Sequence, residues 1–130
     1  MEAIFVLICQ ILLALIFIVA GATKLTKNRE NLIEKVTWAE DYNKQTIRFI
    51  GFLELLGGLG VILPLIVGLS DFLWLVPMSC MGLAMVMAGA IVVHIGRGEF
   101  KHIMFNLFIL FMSAGVSFYR LLELNLNWLN

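Results

Sequence analysis

Charge is what this sequence has least of. Only 14% of its 130 residues are Asp, Glu, Lys or Arg, against 62% hydrophobic. A mean hydropathy of +0.99 is more apolar surface than a water-soluble core of this size can hide. The nine basic and nine acidic residues cancel, so no cationic footprint for nucleic acid exists. Cysteine is nearly as scarce: Cys9 and Cys80 lie far apart in apolar runs, with no CxxC pair and no Cys/His spacing of a metal site. Both read as small hydrophobic residues. The thiol chemistry of four-helix membrane oxidoreductases needs paired cysteines and is excluded, and no metal site is expected. Internal repeats, low-complexity tracts and linkers are also lacking, which leaves one domain over residues 1–130.

What the chain does have is apolar runs of bilayer length. Four are expected to cross the membrane as helices, at about residues 3–22, 48–69, 72–95 and 103–122, since on the order of 20 residues of helix match the hydrocarbon thickness. The fold class is therefore all-α, a four-transmembrane-helix bundle. Ala20-Gly21-Ala22 has the look of a signal-cleavage site, but Glu2 is the only charge ahead of a run longer than a signal core. That run is expected to be a retained first span.

Between the first two spans, Thr26 to Thr46 holds most of the charges together with Leu32, Ile33, Val36, Ala39 and Tyr42 at helical spacing. The segment reads either as an amphipathic helix with Trp38 and Tyr42 at headgroup level or as a solvated loop with a short helix. Only Ser70 and Asp71 separate the second and third spans, which predicts a tight hairpin with one of them capping the third helix. Pro64 and Pro77 sit at mirrored distances from that turn and are expected to free the carbonyls of Gly60 and Leu73. Small residues that let helices approach closely in lipid occur at Gly57, Gly58, Gly60, Ala84, Ala88, Ser113 and Ser117. Near the C-terminus, Trp128 reads as an interfacial residue.

Eight of the nine Lys and Arg residues fall in or beside the first and third loops, and only Arg120 falls on the other side. The positive-inside bias then predicts both termini outside the cytoplasm, and a bacterial inner membrane suits that asymmetry. With this topology, four polar groups share one level in the inner leaflet: Lys24, Glu54, His94 and Asn106. A charge inside a bilayer costs roughly 2.5–3.5 kcal/mol on insertion scales, so Glu54 needs a partner or a use. Lys24 is its expected partner, with His94 and Asn106 adding hydrogen bonds, while His102 reads as interfacial. Gln10 is the one comparable polar residue in the outer half. Three readings stand for the cluster: a structural clasp, a head-group site for a quinone-like amphiphile, or a proton-linked path.

Three motifs, AGATKL (20–25), GFLELLGGLGVILP (51–64) and AMVMAGAIVVHI (84–95), resemble in their order the DoxX and DoxX-like family of small membrane proteins, over nearly the whole chain. The resemblance implies a four-helix membrane fold with Lys24, Glu54 and His94 at the family's polar motif positions. The family is named after a subunit of a quinone-linked thiosulfate-oxidising enzyme, other members are tied to oxidative-stress systems, and animal relatives act as receptor assembly factors. The expectation is an accessory or quinone-facing subunit of a membrane redox system, not a stand-alone enzyme, with no intrinsic cofactor and a bound quinone or lipid. The alternatives are a non-catalytic scaffold or assembly factor, and a proton-coupled small-molecule transporter. Expected partners are membrane lipids, a membrane redox or other protein, or a second copy of the chain.

Overall fold

Inside a hydrocarbon layer the backbone has no water to bond with, so a chain this apolar satisfies its amides within helices. The computed structural model describes residues 1–129, with the side chain of Trp128 set aside; the interfacial Trp128 of the sequence reading, and Asn130, lie outside what is described. Helix α1 runs Glu2–Thr26, α2 Arg29–Lys35, α3 Lys44–Ile66, α4 Leu75–Arg97 and α5 Phe100–Leu129. All but α2 are long and apolar enough to cross a membrane, so the chain is an all-α bundle of four spanning helices. α5 outlasts its expected end near Leu122 because no Gly or Pro after Val116 stops it.

The connections follow from local chemistry. Asn43 caps α3, its side chain accepting from the Thr46 amide at 2.8 Å. At the other end of α3, Gly68 takes a left-handed φ of 69°, and the Leu69 amide bonds back to the Pro64 carbonyl. Neither Ser70 nor Asp71 caps α4 as expected: they lie in a 3₁₀ turn, Ser70–Phe72, and α4 begins later, after Trp74. The turn supplies the carbonyls instead, Leu73 for Val76 and Trp74 for Met78. Pro77 needs none, because it stands in the first turn of α4, where its missing N–H costs nothing. Leu73 is therefore not left free. Pro64 falls in the last turn of α3, where it supplies no N–H to the Gly60 carbonyl, as expected, so one proline stands near the end of a helix and the other near the start of one.

α1 packs closely along α3 and α4 along α5, while α3 meets α4 less closely and α1 meets α5 less closely still. The first pairing rests on glycines. A Cβ on Gly21 would stand 2.5 Å from the Gly51 carbonyl oxygen and from the Leu55 amide, and one on Gly58 would stand 3.0 Å from the Ile18 amide. Backbone touches backbone here, the close approach that small residues permit in lipid. Ala84, Ser113 and Ser117 are buried as the sequence suggested, but Ala88 faces outward. The core between the pairs is Leu13, Phe17, Val61, Leu83 and Ile109, each at most 1% exposed.

The first loop takes a form between the two expectations. After the short α2 comes a 3₁₀ turn, Thr37–Asp41, and Leu32 and Ala39 fold back on Ile47 of α3 to form a small second core. Trp38 and Tyr42 pack against it, edge to face at 5.7 Å.

The glycine contact makes a direct test. Gly21→Ala meets backbone that cannot move aside and should cost about 1–3 kcal/mol, read as a lower midpoint of thermal unfolding in detergent. Gly115→Ala, with nothing within 4 Å of its Cβ, should leave the midpoint unchanged or raise it slightly.

Candidate functional site

Lys24 is in the last turn of α1 and Glu54 lies in α3, three residues after Gly51. A Cβ on Gly51 would come within 2.6 Å of the Lys24 Cβ. The bare glycine is what lets the lysine stem cross α3 and set Nζ 2.6 Å from Glu54 Oε2. Lys24 is 9% and Glu54 4% exposed. The same ammonium lies 5.8 Å from the ring centre of Trp38, within reach of a cation–π contribution.

His94 lies near the end of α4 and points the other way. Gly98 ends that helix with φ 69°, and the Glu99 amide bonds back to the His94 carbonyl at 3.0 Å. This reversal returns the Glu99 carboxylate to the His94 ring, with Nδ1 2.6 Å from Oε2. The expected hydrogen bond from His94 to Glu54 is thus replaced by one to Glu99, because the glycine turn supplies a nearer carboxylate. Glu99 also accepts from Arg97 Nε at 2.6 Å and from Thr37 Oγ1 at 3.2 Å. Arg97 bonding holds its carboxyl well below the ordinary 4.5, at about 2, with His94 and Thr37 adding to the shift against the opposing effect of burial. Facing a carboxylate so firmly ionised, Nδ1 carries the proton and donates, and Nε2 is the remaining ring nitrogen.

Arg97 is the tie between loop and bundle. Its Nη2 donates to Glu40 at 3.0 Å and its Nη1 to Asp41, while Arg29 donates to the backbone carbonyls of Glu40 and Tyr42 at 2.8 and 3.1 Å. These bonds hold the turn that carries Trp38 over the end of the bundle. Asn106, in the second turn of α5, is 8% exposed and forms no side-chain hydrogen bond to another described residue, so it does not reach Glu54 as expected.

Lys24, Glu54, His94 and Asn106 all border one cavity of about 410 Å³, and Trp38 and Tyr42 close it on the loop side. That volume is within the range of small-molecule sites. Its walls are apolar, from Phe17 and Ile109 to Ala90. Three participants were not picked out from the sequence. His102 stacks on His94 at 4.9 Å with planes 15° apart, and Arg97 and Glu99 anchor His94 and the loop. The Gly96-Arg97-Gly98-Glu99 turn was the visible signal, since a left-handed glycine folds the next residue back onto its own helix.

The termini end has a separate polar cluster. Gln10, fully buried, donates to the Val61 carbonyl at 2.7 Å and accepts from Arg120 at 2.9 Å. Arg120 also pairs with Glu123 at 2.7 Å, so it turns into the bundle instead of standing as a free surface charge. Leu13 and Phe17, both buried, lie between Gln10 and Lys24 on α1, whose 14-residue separation is roughly 21 Å of helix.

Two outcomes test this geometry. Lys24→Met alone leaves Glu54 buried without its cation and should cost about 3–5 kcal/mol, measured by thermal unfolding in detergent; adding Glu54→Leu should recover most of the loss. For Glu99 the folded value lies below the ordinary one, so its stabilisation is present above 4.5 and is lost as pH falls toward about 2. Trp38 emission, in a protein with Trp74 and Trp128 changed to Phe, should shift across that window. Glu99→Gln should show the loosened signal already at neutral pH.

Residues 8–116 match the family described as the DoxX-like family, a stretch that contains Lys24, Glu54, His94 and Asn106. No curated protein and no solved structure matches the chain.

Proposed function

The chain belongs to the DoxX-like family, and from that premise we propose that it is a quinone-facing accessory subunit of a membrane redox system, with the cavity between its helices as the head-group site. One observation carries this reading: four polar side chains from four different spanning helices converge on a single apolar cavity of about 410 Å³. A quinone head is a flat apolar ring with two carbonyl acceptors. The Lys24 ammonium and the Asn106 amide offer donors, His94 offers its second ring nitrogen, and Trp38 and Tyr42 offer flat surfaces. Asn106, whose amide bonds to no other described residue, borders the cavity and leaves that amide available to a ligand. Glu54 and His94 are the groups able to exchange the protons that quinone reduction takes up. The protein positions the ligand, and a partner subunit supplies the electrons.

The clasp reading is not a competitor on the Lys24–Glu54 pair alone, because one ion pair both fixes two helices and lines the cavity. Proton-coupled transport has less support, since the buried Leu13, Phe17, Leu83 and Ile109 separate this site from the Gln10 cluster. The charge asymmetry favours a loop end facing the cytoplasm of a bacterial inner membrane, with both termini outside.

Purification in native lipid particles followed by extraction of bound quinone tests the reading. Quinone should accompany the wild-type protein and be lost, in large part, from Glu54→Gln and Asn106→Ala, with the fold retained by circular dichroism. If no quinone is present, protein partners are retained, and Glu54→Gln behaves as wild type, the protein is a scaffold or assembly factor instead.

A further inference from the structure

A second hollow lies outside the head-group cavity, on the lipid-facing side of the line where α3 meets α4. This groove, of about 920 Å³, runs from Leu53 and Val86 to Leu69 and Phe72 at the helical turn. Its floor is set by two glycines: a Cβ on Gly57 would meet the Leu83 side chain at 2.6 Å, and one on Gly60 would collide with Ser79 Oγ. α4 side chains therefore sink into α3, and the channel above them is left open. Leu53 and Val86 line both the groove and the cavity that contains Glu54 and His94. The two hollows are thus neighbours sharing a wall of two aliphatic side chains, one of which, Leu53, is 37% exposed.

We propose that the cavity's ligand is a single-chain amphiphile of the long-tailed quinone type, whose hydrocarbon tail leaves between Leu53 and Val86 and lies along the α3/α4 groove. The inference rests on the head-group reading above and adds where the tail goes and how the molecule enters. The polar cavity occupies the loop end of the bundle and the groove leads toward the termini end, so the tail lies along roughly 17 Å of α3 from Leu53 to Pro64 before the turn at Leu69. Both side chains of this wall are aliphatic, and the exposed Leu53 stands at the lipid-facing edge, which suits a ligand arriving sideways from the bilayer. Because the surrounding solvent is itself hydrocarbon, the tail gains no hydrophobic transfer energy; the groove contributes shape, and its effect on affinity is correspondingly modest.

Gly82 gives the test. It lines the groove, and nothing stands within 4 Å of its Cβ, so Gly82→Leu starts from open space and places its side chain in the channel. Gly115→Leu, equally unobstructed but on α5 and outside both hollows, is the control. Binding of a short-tailed and a long-tailed benzoquinone with the same head is measured on protein in lipid nanodiscs. The long-tailed probe should bind more tightly to wild type, Gly82→Leu should remove that advantage by roughly three- to tenfold, and Gly115→Leu should preserve it. Equal binding of both probes with a neutral Gly82→Leu means that only bulk lipid fills the groove, and overturns the tail assignment while the head-group site stands. Equal weakening by Gly82→Leu and Gly115→Leu also overturns it. Failure of both probes to bind wild type overturns the head-group reading together with this one.

Discussion

The Lys24–Glu54 contact is the constraint from which the rest of the arrangement follows. Two opposite charges can be kept in a hydrocarbon layer only if they meet, and they meet only if α1 and α3 cross almost backbone to backbone. Gly21, Gly51 and Gly58 are the residues that permit that crossing. Once α1 and α3 are locked, the remaining helices form a second unit, α4 with α5, and the volume left between the two units at the loop end is the cavity. A void of this size in a core of aliphatic residues alone would be closed by repacking. Here the fixed ion pair on one side and the anchored imidazole on the other hold it open.

His94 illustrates how a side chain of the candidate site is oriented by the chain that follows it. The left-handed Gly98 reverses the backbone, Glu99 accepts a hydrogen bond from the imidazole Nδ1, and Arg97 keeps Glu99 ionised while binding Glu40 and Asp41 of the loop. A single arginine thereby connects the tautomer of a buried histidine to the position of Trp38. The loop is thus more than a link between spans, since it closes the cavity and is held by the groups that set the histidine.

Much of this was legible in the sequence. Apolar runs of bilayer length announce spanning helices without any tertiary information, and counting residues from each helix end places Lys24, Glu54, His94 and Asn106 at one level. What depth alone does not give is direction around the helix axis. His94 and Asn106 share a level with Glu54 yet do not bond to it, because their bearing depends on packing between helices and, for His94, on the Gly98 turn. Arg120 was placed only by its side of the membrane, and its position near the end of α5 says nothing of a side chain that turns back to Gln10. The helix ends beside the prolines were misplaced by about three residues, which is the difference between a proline well inside a helix and one in its first or last turn.

The two helix units are fastened to each other at both ends. Near the termini the short turn through Gly68 joins α3 to α4 covalently, and at the opposite end Arg97 fastens the loop, which belongs to the first unit, onto the second. A pair of hinged boards pinned at top and bottom can spread only along its middle. Any breathing of this bundle that leaves both fastenings intact must bulge at mid-height, toward the acyl chains and away from either aqueous phase, so that whatever exchanges with the interior is drawn from what is dissolved in the membrane.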